Sequence, residues 1–177
     1  VALESLDPAG CVAIEPALSP IRESIAGGVH YPQDGSGDAL LFTQALSERA
    51  VAAGVQFLFD RRTDRLDRDG DRISAVVTDQ GRIAGDHYVM AFGRYSTLLA
   101  RSIGLAVPIY PAKGYSITVQ APGWNEAPRI PIADDGRKVA VVPLGDTLRV
   151  AGTVEFTGFD TRLNDARGRM LVEGLAG

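Results

Sequence analysis

The segment from His87 to Phe92 constrains the fold more than any other stretch of this sequence. It is a nearly continuous apolar run that follows Asp86 and ends at Gly93. Such a run is typical of a strand buried on both faces. The glycine and a helix predicted at residues 95–102 let a ligand approach the backbone closely, and free N–H groups there can face an anion. The segment therefore predicts a strand, a turn and a helix beside a nucleotide.

The residues before this segment indicate one longer helix and several short strands. Apolar residues at helical spacing predict a helix from Ala39 to Ala53, with Asp38 as its N-cap and Gly54 just after its end. Strands are predicted at residues 27–31, 72–79 and 82–84, and the last two form a hairpin. The charged stretch from Arg61 to Arg72 indicates a solvated turn.

From Pro108 onward the pattern changes to short strands joined by Pro, Gly and Asp turns. The strands are predicted at residues 116–120, 139–142 and 148–154, as in an antiparallel sheet. A helix begins at Asp165 and shows no stop signal other than Gly177. The fold class is therefore α+β, and we expect the helix that starts at Ala39 to share a core with this sheet. Because the sequence begins without Met and stops inside a helix, we expect the natural protein to extend beyond both ends.

Composition excludes several kinds of site. One cysteine, Cys11, rules out a disulfide framework and a cysteine-rich zinc site, and the two histidines are too far apart in sequence to indicate a metal site. The 18 basic residues are scattered and the net charge is -4, so no nucleic-acid partner is expected. Glu155 and Asp160 do not indicate a glycosidase, because the chain has a single Trp and no aromatic sugar cleft. No run of 18 apolar residues is present, and the expected location is the cytoplasm.

Four further segments stand in order around Asp86–Ser96, namely residues 27–38, 54–63, 110–116 and 149–160. Together the five resemble the FAD-dependent D-amino-acid oxidase superfamily, and most closely the D-amino-acid dehydrogenases of the small-subunit type. Asp86–Ser96 is similar to the second flavin motif of that family, and residues 54–63 resemble the strand whose end lies beside the adenosine. The resemblance covers roughly residues 25–175. Neither the Gly-x-Gly-x-x-Gly turn nor the family's C-terminal segment is present.

The resemblance implies a flavoenzyme in which FAD carries the chemistry. A hydride would pass from the substrate Cα to the flavin, and water would hydrolyse the resulting imine to a 2-oxo acid and ammonia. The implied partners are a D-amino acid and an electron acceptor such as a quinone, with the full-length protein peripheral on the inner membrane. Residues 37–104 would be a partial FAD-binding segment and residues 105–177 the substrate-binding sheet, with residues 1–36 leading into the substrate region. The chain alone is expected neither to hold FAD nor to turn over.

The resemblance and the residue chemistry together give candidate site residues. The candidates for cofactor binding are Thr63, Ala91, Gly93 and Tyr95. The candidates for holding the substrate carboxylate are Lys113, Tyr115 and Arg149, because cations pair with carboxylates and a tyrosine hydroxyl donates to them. No catalytic residue and no metal ligand is assigned.

Each candidate also has a purely structural interpretation. Gly93 can serve only the geometry of a turn, Lys113 can be a surface residue, and Tyr115 can be a half-buried strand residue. Arg149 can face solvent. Other functions also stay open: a flavoenzyme acting on 2-hydroxy acids, glycine, sarcosine or glycerol 3-phosphate, or a non-enzymatic ligand-binding domain. The sequence does not separate a dehydrogenase from an oxidase, and it leaves the oligomeric state open.

Overall fold

The computed structural model describes residues 2–176, and the chain divides into two compact units. The larger unit comprises residues 1–45, 113–155 and 160–177, and the smaller unit comprises residues 46–112 and 156–159. Mixed helices and antiparallel sheets confirm the predicted α+β class. Gly177, the one candidate stop signal for the last helix, lies outside the described residues.

The described strands are β1 (Glu4–Leu6), β2 (Gly28–His30), β3 (Thr63–Asp69), β4 (Arg72–Thr78), β5 (Gly81–Ile83), β6 (Lys113–Gln120), β7 (Ile132–Asp134), β8 (Val139–Leu144) and β9 (Thr147–Glu155). The α-helices are α1 (Pro8–Ile14), α2 (Ala39–Ala52), α3 (Ser96–Arg101) and α4 (Asp165–Ala176). Two 3₁₀ helices cover Pro16–Ser24 and Gly93–Tyr95.

A four-stranded antiparallel sheet forms the centre of the larger unit. Its strand order is β6-β9-β8-β7, and α4 packs on β6 and β9. Side chains alternate across the sheet, so that one face carries the core residues Tyr115 and Val150, against which Leu171 of α4 packs. The strands predicted from residue 116 onward and the helix predicted from Asp165 are confirmed.

A β-bulge near the end of β9 decides which residues face the core. Tyr115 lies opposite Gly152 and Lys113 lies opposite Glu155, so Thr153 is an extra residue in β9. Thr153 has φ 56, a left-handed conformation that a β-branched residue rarely adopts. In an unbroken register Glu155 would point to the opposite face of the sheet, and the bulge brings it onto the face of Tyr115.

The N-terminal part of the larger unit contains elements that the sequence reasoning missed. Helix α1 starts after Asp7, whose side chain accepts from the backbone N–H of Gly10, and the 3₁₀ helix at residues 16–24 follows it. Buried Glu15 accepts from the backbone N–H groups of Arg129, at 2.7 Å, and Ile130, at 3.1 Å. This carboxylate therefore ties the N-terminal helices to the loop that precedes β7.

Helix α2 is confirmed in position, but its predicted core is not. Asp38 accepts from the N–H groups of Leu40 and Leu41, and Gly54 has φ 91 just past the helix end, as the sequence predicts. However, no residue of α2 is buried, and Phe42 is 69% exposed. The prediction of a core shared with the sheet is wrong, because the apolar residues of this helix stay largely exposed, Leu41 at 63% and Leu46 at 54%.

The smaller unit contains the antiparallel sheet β3-β4-β5. The predicted hairpin of β4 and β5 is confirmed, whereas the interpretation of residues 61–72 as a solvated turn is wrong, because β3 pairs along β4. The charges suit a strand here because they neutralise one another: Asp67 pairs with Arg65 at 3.1 Å and with Arg82 at 3.0 Å. The turn itself is confined to the residues around Gly70, which has φ 57.

Two predicted strands of the smaller unit are absent from the described chain. Residues 87–92 form no strand, and Val89 is 89% exposed. Residues 55–62 form none either, and the rings of Phe57 and Phe59 stack 5.5 Å apart with Phe59 still 74% exposed. Both predictions are wrong for the same physical reason: a buried strand needs a neighbouring strand to pair its backbone, and no described residues supply one.

Candidate functional site

The cofactor candidates of the smaller unit centre on the turn at Gly93. This glycine has φ 53, and no heavy atom lies within 4 Å of the place where a Cβ would be. The turn is followed by α3 as predicted, and Ala91 just before it is exposed. A ligand could therefore approach the backbone closely here.

The other two cofactor candidates also lie in the smaller unit. The ring of Tyr95 packs against that of Phe159, with the centroids 5.5 Å apart. Thr63 is the first residue of β3 and lies opposite Thr78 of β4. The structure thus places all four candidates in one unit, three of them within five residues of chain and Thr63 on β3.

Arg94, between Gly93 and Tyr95, was not among the candidates. Its Nη2 donates to the Tyr95 hydroxyl at 2.9 Å, and its Cζ lies 4.8 Å from the centroid of that ring. Its Nε is buried and has no hydrogen-bond partner within residues 2–176. Sequence could have drawn attention to this residue, since an arginine directly after the turn glycine is a cation beside the predicted ligand position.

Two of the three substrate-binding candidates meet at Glu155 in the larger unit. The Tyr115 hydroxyl donates to Glu155 Oε2 at 2.7 Å and accepts from the backbone N–H of Asn164 at 3.2 Å. The Lys113 ammonium lies 3.0 Å from the same carboxylate oxygen and donates to the carbonyl of Arg162 at 2.7 Å. Lys113 and Tyr115 are therefore held by groups of this chain.

Further partners complete this cluster, which we call the Glu155 cluster and define as Lys113, Tyr115, Glu155, Asn164 and Arg167. The side-chain amide of Asn164 donates to Glu155 Oε1 at 2.8 Å, and Arg167 Nε lies 3.4 Å from that oxygen. Arg167 also donates to the hydroxyl of Thr153, the bulge residue. The side chain of Glu155 is 11% exposed, so its charge is largely shielded from water but fully paired.

The electrostatic consequence is a carboxylate that stays ionised. Hydrogen bonds from Tyr115, then Asn164 and then Lys113 lower the pKa of Glu155 from 4.5 to about 2. The same contact with Glu155 raises the pKa of Lys113 above its ordinary value. Near neutral pH the cluster is thus a carboxylate between two cations, and neither ionised partner is free for a ligand.

The third substrate-binding candidate, Arg149, lies on the opposite face of the same sheet. Its neighbours Leu148 and Val150 are buried, whereas Arg149 is exposed. It lies opposite Thr118 on β6 and opposite Val142 on β8, and its Nε donates to the Thr118 hydroxyl at 3.4 Å. The structure therefore brings Lys113 and Tyr115 together and separates Arg149 from them.

Among the described residues of this sheet face, no counter-charge lies beside Arg149. The residues next to it on this face, along β9 and on both neighbouring strands, are Ser116, Thr118, Gln120, Ala140, Val142, Leu144, Thr147 and Ala151. All are uncharged, and Arg149 forms no ion pair within the described chain. A single cation among small side chains and hydroxyls is an arrangement that can accept a carboxylate.

Sequence reasoning missed Glu155 and Asn164 as members of a cluster. Glu155 was considered only as half of an acid–base pair, and the bulge that turns it towards Tyr115 has no visible signal in the alternation of β9. In the part of the chain that the structure describes, no group of His, Cys, Asp and Glu could hold a metal ion, and no helix is long and apolar enough to cross a membrane.

The comparisons with known proteins agree with this architecture. A family model described as "FAD dependent oxidoreductase" matches residues 1–176, and the chain belongs to this family. Among relatives, the D-amino acid dehydrogenase of Bradyrhizobium diazoefficiens is 46% identical over 167 residues, which are 94% of this chain and 40% of that protein. The D-amino acid dehydrogenase of Granulibacter bethesdensis is 44% identical over 174 residues, which are 98% of this chain and 41% of that protein. The chain thus spans about 40% of the length of these relatives.

Solved structures show the same fold at low sequence identity. The glycine oxidase of Geobacillus kaustophilus has a TM-score of 0.83 and 24% identity, covering 99% of this chain and 46% of that one. The L-proline dehydrogenase of P. horikoshii has a TM-score of 0.86 and 17% identity, covering 98% of this chain and 47% of that one. At these identities the likeness concerns the fold alone.

Two observations show that the residues at the Gly93 turn of the smaller unit suit a flavin nucleotide. Gly93 leaves open space at a left-handed backbone, and the buried Nε of Arg94 has no acceptor in the part of the chain that the structure describes. An anionic, flat cofactor can supply such an acceptor and can use such a space.

Proposed function

We propose that this chain is part of an FAD-dependent D-amino-acid dehydrogenase, which oxidatively deaminates D-amino acids to 2-oxo acids and ammonia. The observation that carries the proposal is the 46% identity to a D-amino acid dehydrogenase over 94% of this chain. When bound, FAD supplies a two-electron acceptor for the hydride of the substrate Cα, and water hydrolyses the imine product. The residues of this chain bind and orient, and none of them is assigned as an acid or base.

The two parts of the chain have different tasks in this proposal. Residues 37–104 contribute to the FAD-binding region, with Thr63, Ala91, Gly93 and Tyr95 next to the cofactor. Residues 105–177 provide the substrate-binding sheet, and residues 1–36 lead into the substrate region. The electron acceptor is a quinone or a similar carrier, which places the full-length protein at the periphery of the inner membrane.

Among the substrate-binding candidates, Arg149 is the one whose charge has no partner in the described chain. We infer that Arg149 holds the substrate carboxylate and that the hydroxyls of Ser116 and Thr118, on the same face, support it. Lys113 and Tyr115 would reach a carboxylate only by leaving Glu155, to which both are bound. Their contribution to substrate binding is therefore indirect in this proposal.

Anaerobic reduction of the flavin tests the reaction. The full-length protein is purified, its flavin absorbance is recorded, and D-alanine is added without oxygen, with L-alanine and glycerol 3-phosphate as controls. Bleaching by D-alanine alone is the expected result. A bound flavin that only glycerol 3-phosphate or a 2-hydroxy acid reduces would assign the protein to another branch of the family, and a protein without flavin would contradict the proposal altogether.

Arg149→Met tests the carboxylate ligand. Loss of a charge-assisted hydrogen bond should raise the D-alanine concentration for half-maximal reduction by roughly 10- to 100-fold. D-Alaninamide, which lacks the carboxylate, should react equally with both proteins. The matched control is Arg169→Met, because Arg169 is an exposed residue of α4, on the other side of the sheet. Equal losses with D-alanine and its amide would show that Arg149 does not bind the carboxylate.

A further inference from the structure

The side chain of Arg94 has an unmet requirement for a hydrogen-bond acceptor. In the chain from residue 2 to residue 176, its Nε is the single buried side-chain nitrogen or oxygen without a partner. A guanidinium is charged at any ordinary pH, so a buried N–H with no acceptor is unfavourable. No Asp or Glu forms an ion pair with Arg94 in the described chain, and the Tyr95 hydroxyl is bound to Nη2 rather than to Nε.

Tyr95 offers a second donor at the same place. Its hydroxyl accepts the hydrogen bond of Arg94 Nη2 at 2.9 Å, which leaves its own proton free for donation. The guanidinium lies over the Tyr95 ring, with Cζ 4.8 Å from the centroid, and that ring packs on Phe159. Stacking therefore holds the cation in one orientation before a ligand arrives.

The space beside these donors is open. Gly93 precedes Arg94 with φ 53, and no heavy atom lies within 4 Å of where its Cβ would be. A side chain at this position would be strained and would fill the space that a ligand needs. Two donors, one positive charge and an open approach together match an anionic oxygen group such as a phosphate or a carboxylate.

We propose that Arg94 and the Tyr95 hydroxyl form an anion-binding site, and that its ligand is the diphosphate of FAD. The inference rests on the proposed function, because that function supplies both a phosphate-bearing cofactor and a carboxylate-bearing substrate. The diphosphate is favoured because the pair lies within the cofactor segment of the smaller unit, whereas Arg149 offers a separate cation to the substrate carboxylate. The substrate carboxylate is the second source of the same chemistry, and the experiment separates the two.

Ligand binding to the full-length apoprotein tests the site without relying on turnover. Dissociation constants are measured for FAD, for ADP, which carries the diphosphate without the flavin, and for riboflavin, which carries the flavin without phosphate. Arg94→Met should raise the dissociation constants of FAD and ADP by on the order of 10- to 100-fold and leave that of riboflavin unchanged. Tyr95→Phe should show the same pattern with a smaller effect, and Arg94→Lys should fall between the wild type and Arg94→Met because it keeps only the charge.

The control variant is Arg101→Met, at the exposed end of α3 in the same unit, which should bind all three ligands as the wild type does. Thermal melting of the apoproteins checks that Arg94→Met remains folded. The substrate carboxylate is tested by titrating the holoprotein with propionate and following the flavin spectrum. If Arg94→Met weakens the binding of propionate but not that of ADP, Arg94 binds an anion, and that anion is the substrate carboxylate and not the diphosphate.

Unchanged affinity for ADP, FAD and propionate in a folded Arg94→Met protein would overturn the inference, because the acceptor for Nε would then come from the protein. An equal loss of affinity for ADP and for riboflavin would overturn the inference as well, since riboflavin carries no anionic group. These outcomes differ from a failure of the proposed function, which would appear as a wild-type protein that binds FAD but is not reduced by D-alanine.

Discussion

Each compact unit contains a cation that lies near a tyrosine ring. The two pairs differ in whether a carboxylate of the chain neutralises the cation. Lys113 lies 5.7 Å from the ring centroid of Tyr115, and Arg94 lies 4.8 Å from that of Tyr95. In the larger unit Glu155 binds both members of the pair, whereas in the smaller unit the Nε–H of Arg94 has no acceptor among the described residues. The difference teaches that a cation near an aromatic ring indicates a ligand site only when no group of the chain already neutralises it.

A similar contrast separates the apolar core of the larger unit from two apolar segments of the smaller unit. The larger unit buries Val150 and Leu171 against Tyr115, whereas the smaller unit leaves Val89 and Phe59 exposed. Around Glu155 and Leu171 hydrophobic burial and charge pairing are thus both completed, whereas Phe42 and Arg149 of the same unit stay exposed. In the smaller unit, the segments that the sequence assigned to the cofactor keep apolar side chains exposed and the charge of Arg94 without a carboxylate partner among the described residues.

The largest expected effect tests whether the core of the larger unit is closed. Leu171 is 1% exposed, so Leu171→Ala should lower the free energy of unfolding by about 2–5 kcal/mol, through lost burial and a cavity. Chemical unfolding of the 177-residue chain can be followed by the fluorescence of Trp124, its single tryptophan, which lies in this unit. The control Met170→Ala changes an exposed neighbour, and equal losses in both variants would show that α4 does not close the core.

An intermediate effect tests the Glu155 cluster through its pH dependence. The folded-state pKa of Glu155 is lowered from 4.5 to about 2, so its stabilising contribution is present above pH 4.5 and is lost as the pH falls towards 2. Glu155→Gln should therefore be less stable than the wild type at pH 6, and the gap should close between pH 4.5 and pH 2.

The measurement is the denaturant midpoint of both proteins at a series of pH values, again followed by Trp124. Glu126→Gln is the control, since Glu126 is exposed and makes no hydrogen bond or ion pair in the described chain. A gap between wild type and Glu155→Gln that is the same at pH 6 and pH 2 would contradict the charge pairing of this cluster.

The smallest effect concerns the exposed apolar segment of the smaller unit. Val89→Ser should change the stability of the 177-residue chain by less than about 0.5 kcal/mol, because its side chain is already in water. In the full-length protein the same change should lower the melting temperature or the affinity for FAD. Val150→Ser, at a fully buried position, should destabilise both. A marked loss with Val89→Ser in the 177-residue chain would mean that residue 89 is buried after all.

Local signals predicted the elements whose stability is local. The limits of α2 followed from Asp38 and Gly54, because a cap and a C-terminal glycine act within one turn of the helix. Strands β8 and β9 followed from alternation and turn residues, because their partners are next to them in sequence. The same kind of signal was available for α1, since Asp7 caps it and Pro8 follows, but it was not used.

Features that depend on distant partners could not be predicted in this way. The apolar run at residues 87–92 has the composition of a buried strand, but only a neighbouring strand would pair its backbone. The role of Glu155 depends on the bulge at Thr153, which shifts the register without a change in hydrophobic pattern. Of the seven predicted site residues, Lys113 and Tyr115 are the two that bind the same side chain in the described structure, and that side chain is Glu155.

The extra residue of β9 has a consequence for how the length of this strand can vary among relatives. A chain without Thr153 would still place Glu155 opposite Lys113, because the bulged residue has no partner of its own on β6. A deletion at Ala151 would instead move Val150 from the core face to the other face of the sheet. Natural insertions and deletions of one residue in this strand should therefore occur at Thr153, where the bulge already accommodates an extra residue.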